Sequence, residues 1–244
     1  MNPIYWGSAF WTLFYHIILE HLNNGSSLVE ENHLRTLFEE LRYVLPCKNC
    51  KKHYTANLRE LPINSFLNNK DLMITWLVKM NNRVNKILNK PILTEEQFHK
   101  KYFKPCRNHI IHNFKRNRKS SDNKSDSFNC VNDAVWTVLF AISCSYPDKL
   151  YPHVSSFETE FHYRVFITEL LYLIPESKTK KDIWTSYYKS TNSLEQAVRK
   201  GKTGLFDFML SLHNRTLDIQ GNKIPFTGEK ILSTYLCNST LSTE

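Results

Sequence analysis

Two cysteines stand two residues apart in the stretch LPCKNCKKHY, Cys47 and Cys50, directly after Pro46. That spacing suits two chemistries. Paired thiolates supply half of a tetrahedral zinc site, or they close a disulfide that exchanges electrons with an incoming dithiol. Two inert thiols are the third reading. His53 follows close behind, and CRNHIIH offers Cys106, His109 and His112, so a zinc site built from Cys47, Cys50, Cys106 and His109 is open. Against it, this second segment is dense in Lys and Arg, whose charge disfavours a dication, and the chain has no second CxxC. The other cysteines, Cys130, Cys144 and Cys237, are scattered, so six in 244 residues do not read as a disulfide scaffold.

The elements that must position the pair read as consecutive helices. A broad apolar face (Phe10, Trp11, Leu13, Phe14, Ile17, Ile18) predicts a helix from Trp6 to about Leu22, ended by Asn23, Asn24 and Gly25. Leu34, Leu37, Phe38 and Leu41 predict a second, over 29–43. Pro46 stops the chain and opens a short third helix carrying the CxxC. At a helix start the free backbone N–H groups and the dipole favour a thiolate, and Lys48, Lys51 and Lys52 push the same way. Both zinc binding and disulfide exchange want that thiolate, so the alternatives stay open here. A fourth helix, capped by Asp71, carries a stripe of Leu72, Trp76, Leu77, Met80, Val84, Ile87 and Leu88 and closes before Pro91. Its other side carries Asn82, Asn85 and Asn89, a row of amides suited to a flat polar ligand or to water. Thr94 and Gln97 have the form of a capping box for a last short helix through about Tyr102.

Composition is that of a globular protein, 41% hydrophobic with 15 Phe, 12 Tyr and 5 Trp but only 6 Gly, which favours aromatic-packed helices over a turn-rich sheet. The N-terminus has no basic region before its apolar stretch and is broken by His16, Glu20 and His21, so neither a signal peptide nor a membrane span is expected. The net charge is +9, and residues 99–119 alone hold eight Lys or Arg and no acid. That stretch reads as a solvated linker, or else as a docking surface for acidic partners or nucleic acid.

Taken in order, YWGSAFW, an apolar helix, LPCKNC, a tryptophan followed by NNRVNKILNKP, and an aromatic at Tyr102 resemble the Erv/ALR family of FAD-linked sulfhydryl oxidases, closest to the short forms of large DNA viruses. The resemblance covers about 2–103 and implies an FAD-binding four-helix bundle with a short fifth helix. By that resemblance Cys50 is the flavin-proximal cysteine and Cys47 the interchange cysteine. Gly7, Ser8 and Trp11 from the first helix would contact FAD. So would Asn81, Asn82, Asn85 and Lys90 from the fourth-helix motif, with Arg83 and Lys86 toward the phosphates and Lys101 and Tyr102 near the adenine. Tyr15 and Asn81 stand where the family often has histidine and are expected at the cofactor in its place, and no second shuttle CxxC or CxC is present. The implied reaction is disulfide formation in protein dithiols with electrons passed to O2, giving H2O2, a thioredoxin-like protein being one possible carrier. Nucleic acid and membrane are not expected partners. The resemblance also implies a location in a viral factory of the host cytoplasm or in the virion. The alternative is a zinc-stabilised helical interaction module.

The second half echoes the first without its cysteines. DAVWTVLF echoes SAFWTLF, LLYLIPE echoes LRYVLPC, and LHNRTLDIQGNKIP echoes MNNRVNKILNKP. Glu176 and Thr179 stand for Cys47 and Cys50, and Leu217 for Asn85. The expected organisation is therefore an FAD-binding domain over 1–105, a basic polar linker over 106–129, and an all-α, redox-inactive repeat over 130–244 resembling the pseudo-Erv domain of larger sulfhydryl oxidases. The two halves are expected to form an internal pseudo-dimer, with a homodimer as the other possibility.

Overall fold

A computed structural model describes residues 2–22, 27–103, 125–147, 156–190, 193–222 and 224–235. Among these every regular element is helical. The first half holds α1 (Gly7–His21), α2 (Leu28–Val44), α3 (Lys48–Glu60), a 3-10 turn at Ile63–Ser65, α4 (Lys70–Ile87) and α5 (Glu95–Tyr102). The second half holds α6 (Ser125–Ser145), α7 (Ser156–Leu173), α8 (Lys178–Tyr188), α9 (Leu194–Arg199), α10 (Gly201–Ile219) and α11 (Gly228–Tyr235). The helix α6 begins inside the segment expected to be linker. The Asn23–Asn24–Gly25 stop and most of the basic stretch, with Cys106, His109 and His112, lie outside the described residues.

Caps explain most helix starts. Ser27 and Glu30 close a capping box on α2, and Thr94 and Gln97 close the expected one on α5. Asn69 rather than Asp71 caps α4, its Oδ1 accepting from both Asp71 N and Leu72 N. Asp71, two residues further on and inside the first turn, does not cap but still complements the dipole. The helix α4 ends on Asn89, which adopts a left-handed φ of 51° so that Lys90 N–H can reach the Asn85 carbonyl at 2.8 Å. Asparagine tolerates that conformation better than other side-chain-bearing residues.

The first bundle packs around α1, where Leu13, Ile17 and Ile18 are completely buried. Edge-to-face aromatic contacts run through it: Phe10 to Phe14, Phe14 to Phe38, and Phe38 to Trp76 at 5.0 Å. Tyr54 donates to the Phe38 carbonyl and Trp76 Nε1 to the Leu61 carbonyl, so these large rings bury without stranding a polar atom.

One hydrophobic core continues into the second half, with α1 against α6 and α2 against α7. Along the α2/α7 seam the same contact occurs twice with roles reversed. His33 Nδ1 meets Glu169 Oε2 and His162 Nδ1 meets Glu40 Oε2, each at 2.6 Å. The His33 ring lies on Tyr172 at 4.1 Å, and the His162 ring stacks on Tyr43 at 3.6 Å. Two helices bearing the same pattern have paired as two copies related by a twofold axis would.

A half-buried carboxyl in the second half gives a stability prediction. Asp133 on α6 is pushed up to about 6 by burial. Its folded value lies above the unfolded one, so it binds its proton more tightly when folded. The carboxyl therefore costs little below about pH 4, and the penalty grows as pH rises through 6. Asp133→Asn is expected to stabilise the protein by about 1–3 kcal/mol at pH 7.5 and by only about a third of that at pH 4.5. Urea midpoints at the two pH values check this, and an equal gain at both would contradict it.

Candidate functional site

Cys47 is the N-cap of α3, its Sγ accepting from Cys50 N at 3.2 Å. The two cysteines are joined as a disulfide with Cα atoms 5.0 Å apart, and both are half-buried. The pair therefore sits where the sequence puts it, at the positive end of a helix, with exposed Lys48, Asn49 and Lys52 around it.

Behind the pair opens a cavity of about 590 Å³. That lies within the roughly 300–1,000 Å³ of sites that enclose cofactor- or drug-sized ligands. Cys50 lines it and Cys47 is not among its lining residues, so the two sulfurs face different surroundings. Of the residues expected to touch a cofactor, Gly7, Ser8, Trp11, Asn81, Asn85, Lys90, Lys101 and Tyr102 line the cavity. Four do not. Tyr15 is buried and its hydroxyl is bonded to His99 Nδ1. Asn82 clamps the α4–α5 connection, donating to the Leu93 carbonyl and accepting from Leu93 N at 2.8 and 2.9 Å. Arg83 is paired with Glu60, and Lys86 is exposed.

The cavity wall is apolar and aromatic with one polar seam. Asn85 Nδ2 donates to Asn81 Oδ1 at 3.0 Å, and Asn81 Nδ2 reaches Tyr102 Oη at 3.4 Å. Asn81 and Asn85 are nearly completely buried, and burial pushes the Tyr102 phenol up to about 12, so it stays a neutral hydrogen-bonding group. Trp6, also in the lining, carries a buried Nε1–H with no partner in the protein. A Cβ on Gly7 would meet nothing within 4 Å. An unanswered donor, spare room at a glycine and cations at Lys90 and Lys101 suit a flat, polar, anionic group of FAD's kind. Sequence reasoning missed Trp6 and Trp76 as wall residues and weighed His53 only as a metal ligand. His53 lies three residues beyond Cys50, hence on the same helix face, and that spacing was the available signal.

The zinc alternative has two of its four ligands, Cys106 and His109, outside the described residues. Among the described residues no three His, Cys, Asp or Glu side chains gather as a metal site. Nor is any described helix long and apolar enough to cross a membrane.

Residues 8–104 match the family model described as the Erv1 / Alr family. This segment belongs to the Erv1/Alr family. Its relatives are viral. A protein of Acanthamoeba polyphaga mimivirus, named "Probable FAD-linked sulfhydryl oxidase R368", is 33% identical over 97 residues, 38% of this chain and 66% of that protein. Two proteins named "Putative FAD-linked sulfhydryl oxidase" are similar as well. That of Invertebrate iridescent virus 3 is 24% identical over 43% of this chain and 70% of its own length. That of Invertebrate iridescent virus 6 is 25% identical over 42% of this chain and 96% of its own length. No solved structure matches the chain significantly. The Erv1/Alr segment thus coincides with α1–α5 and contains the disulfide and every residue that lines the cavity except those within residues 2–7.

Proposed function

We propose that the chain is an FAD-dependent thiol oxidase that forms disulfides in protein substrates. The observation that carries this reading is the placement of Cys50 in the wall of a large aromatic cavity, bonded to a Cys47 that is not in that wall. Within that cavity Trp6, Trp11, Asn81, Asn85 and Tyr102 would hold the ring systems, and Lys90 and Lys101 the phosphates. Bound there, FAD would supply a two-electron acceptor and the onward route to O2, with H2O2 as product.

The exchange itself belongs to the cysteines. A substrate thiolate attacks Cys47 Sγ; the Cys47–Cys50 bond breaks as the mixed disulfide forms, and Cys50 leaves as a thiolate. The substrate's second thiol then attacks the substrate sulfur of the mixed disulfide and expels Cys47. One substrate disulfide has formed, and two electrons and two protons have passed to the pair. The Cys50 N–H directed at Cys47 Sγ, together with the α3 dipole, stabilises the thiolate released in the last step. The substrate class is a reduced protein dithiol, delivered directly or through a thioredoxin-like carrier.

The second half is a degenerate copy that covers the first as an internal pseudo-dimer. Several independent features support this. HxRxxxxELxYxxP occurs at 33–46 and again at 162–175, which makes His33, Glu40 and Tyr43 the counterparts of His162, Glu169 and Tyr172 in the seam. The Asn82 clamp on Leu93 recurs as Asn214, which donates to the Phe226 carbonyl and accepts from Phe226 N. The Asn81–Tyr102 contact recurs as His213–Tyr235 at 3.1 Å. Even the left-handed stop of α4 recurs, at Gly221, with Asn222 N bonded to the Leu217 carbonyl. Where the first half has its cavity wall, the second packs Trp136, Phe140 and Phe226 against the His213 ring. Thr179, at the Cys50 position, accepts from Asn132 instead.

Oxygen uptake with a reduced protein dithiol as donor tests the activity. Consumption matched by one H2O2 per disulfide formed is the expected result. Thiol loss without oxygen uptake would contradict it.

A further inference from the structure

The second half meets the start of α3, and this contact reaches the chemistry. Lys51 lies one turn after Cys47 on the same side of α3, and its backbone N–H bonds the Cys47 carbonyl. Its half-buried side chain turns toward the second half. The ammonium lies over the Tyr163 ring of α7, 5.9 Å from the ring centre, at the outer edge of cation–π attraction. Tyr163 is itself fixed. It is 1% exposed, packed edge-on against Tyr146 at 4.6 Å, and hydrogen-bonded through its hydroxyl to Ser145. Ser145 Oγ in turn lies 3.3 Å from the carbonyl of Val44, the last residue of α2 before the Leu45–Pro46–Cys47 turn.

We infer that Tyr163 is a positioning residue for the redox pair: its ring holds the Lys51 ammonium beside the start of α3, where the charge favours the Cys47 thiolate. This deepens the thiol-oxidase reading and rests on it. It also gives the half without a CxxC a part in the chemistry beyond covering an apolar face. Desolvation lowers the Lys51 pKa, as it must for an amine held against a buried ring, and an ammonium in such surroundings is screened less than Lys48 or Lys52 in water. The other charged or titratable groups on the elements that meet here are largely answered already. His162 is paired with Glu40 and Glu160 lies 4.0 Å from Arg199, while Arg42 lies over Tyr43 with its buried Nε–H unanswered. His53 and the two exposed lysines on α3 remain, and Tyr146 is held neutral by burial.

The test reads the thiol itself, separately from turnover. In the reduced full-length protein, the rate of Cys47 alkylation by iodoacetamide is followed against pH by peptide mass spectrometry. Lys51→Met is expected to raise the midpoint pH and to slow alkylation at pH 7 by about 3- to 10-fold, as an ammonium near a thiolate commonly shifts it by up to about a unit. Lys48→Met should shift it less. Tyr163→Leu should reproduce the Lys51→Met shift without adding to it, whereas Tyr163→Phe, which keeps the ring, should restore the wild-type midpoint. If Lys51→Met and Lys48→Met shift the midpoint equally, Lys51 is one surface charge among several and the proposal fails. It also fails if Tyr163→Leu folds but leaves the midpoint unmoved. Should Tyr163→Leu not fold, the comparison of Lys51→Met with Lys48→Met still decides. A protein that lacks flavin but shows these shifts would overturn the oxidase reading and leave the positioning intact.

Discussion

Replacing Cys50 with serine is expected to abolish thiol-dependent oxygen consumption while the protein still purifies with FAD. The cavity is built from Trp6, Trp11, Trp76, Asn81, Asn85 and Tyr102, and Cys50 contributes only one edge of it. Cys47→Ser is expected to be equally inactive, for a different reason. Serine is a good N-cap, so α3 should keep its start and its fold. The remaining Cys50 thiolate would then lie free in the cavity wall and add a broad long-wavelength absorbance that Cys50→Ser lacks. Spectra of the two variants together with oxygen-electrode rates separate the roles. The band appearing in Cys50→Ser instead would exchange them, and substantial activity in either variant would remove the CxxC from the reaction.

The second large effect concerns the seam. A chain ending after residue 105 is expected to leave the monomeric state, because α1 and α2 lose the faces that α6 and α7 cover. The same loss leaves His33 and Glu40 without Glu169 and His162. Since Glu169 occupies the position of Glu40 in the repeated motif, two truncated chains can restore both bridges by pairing with each other. Sedimentation should therefore show a flavin-loaded dimer, or aggregate if pairing is incomplete. A soluble, flavin-loaded monomer would contradict the pseudo-dimer.

The parts of this protein that were legible in its sequence are those set by local chemistry. The CxxC after Pro46, the Thr94 capping box and the 3.6-residue stripes of α2 and α4 depend on residues within a turn or two of one another. Contacts that depend on the other half were not legible. The pattern on α2 looked like an ordinary apolar stripe with polar flanks. That its His33, Glu40 and Tyr43 recur at a constant offset as His162, Glu169 and Tyr172 became meaningful once the seam paired them crosswise. Side-chain direction was the other gap. Asn82, Asn85 and Asn89 were expected to share one polar side. In the fold, Asn85 lines the cavity, Asn82 is spent on the Leu93 clamp, and Asn89 is exposed and serves as the left-handed helix stop. Spacing alone cannot distinguish an amide that binds a ligand from one that binds its own backbone. Tyr15 shows the same limit. A cofactor contact was expected of it, but its bond to His99 depends on how α5 docks, 84 residues further along the chain.

The most direct test of the central claim is the absorbance spectrum of the purified full-length protein, followed by release and quantification of any bound flavin after denaturation. The cavity beside Cys50 predicts a yellow protein that releases FAD at about one per chain, as expected for a single enclosed site. A colourless protein that yields no flavin and instead carries stoichiometric zinc would contradict it.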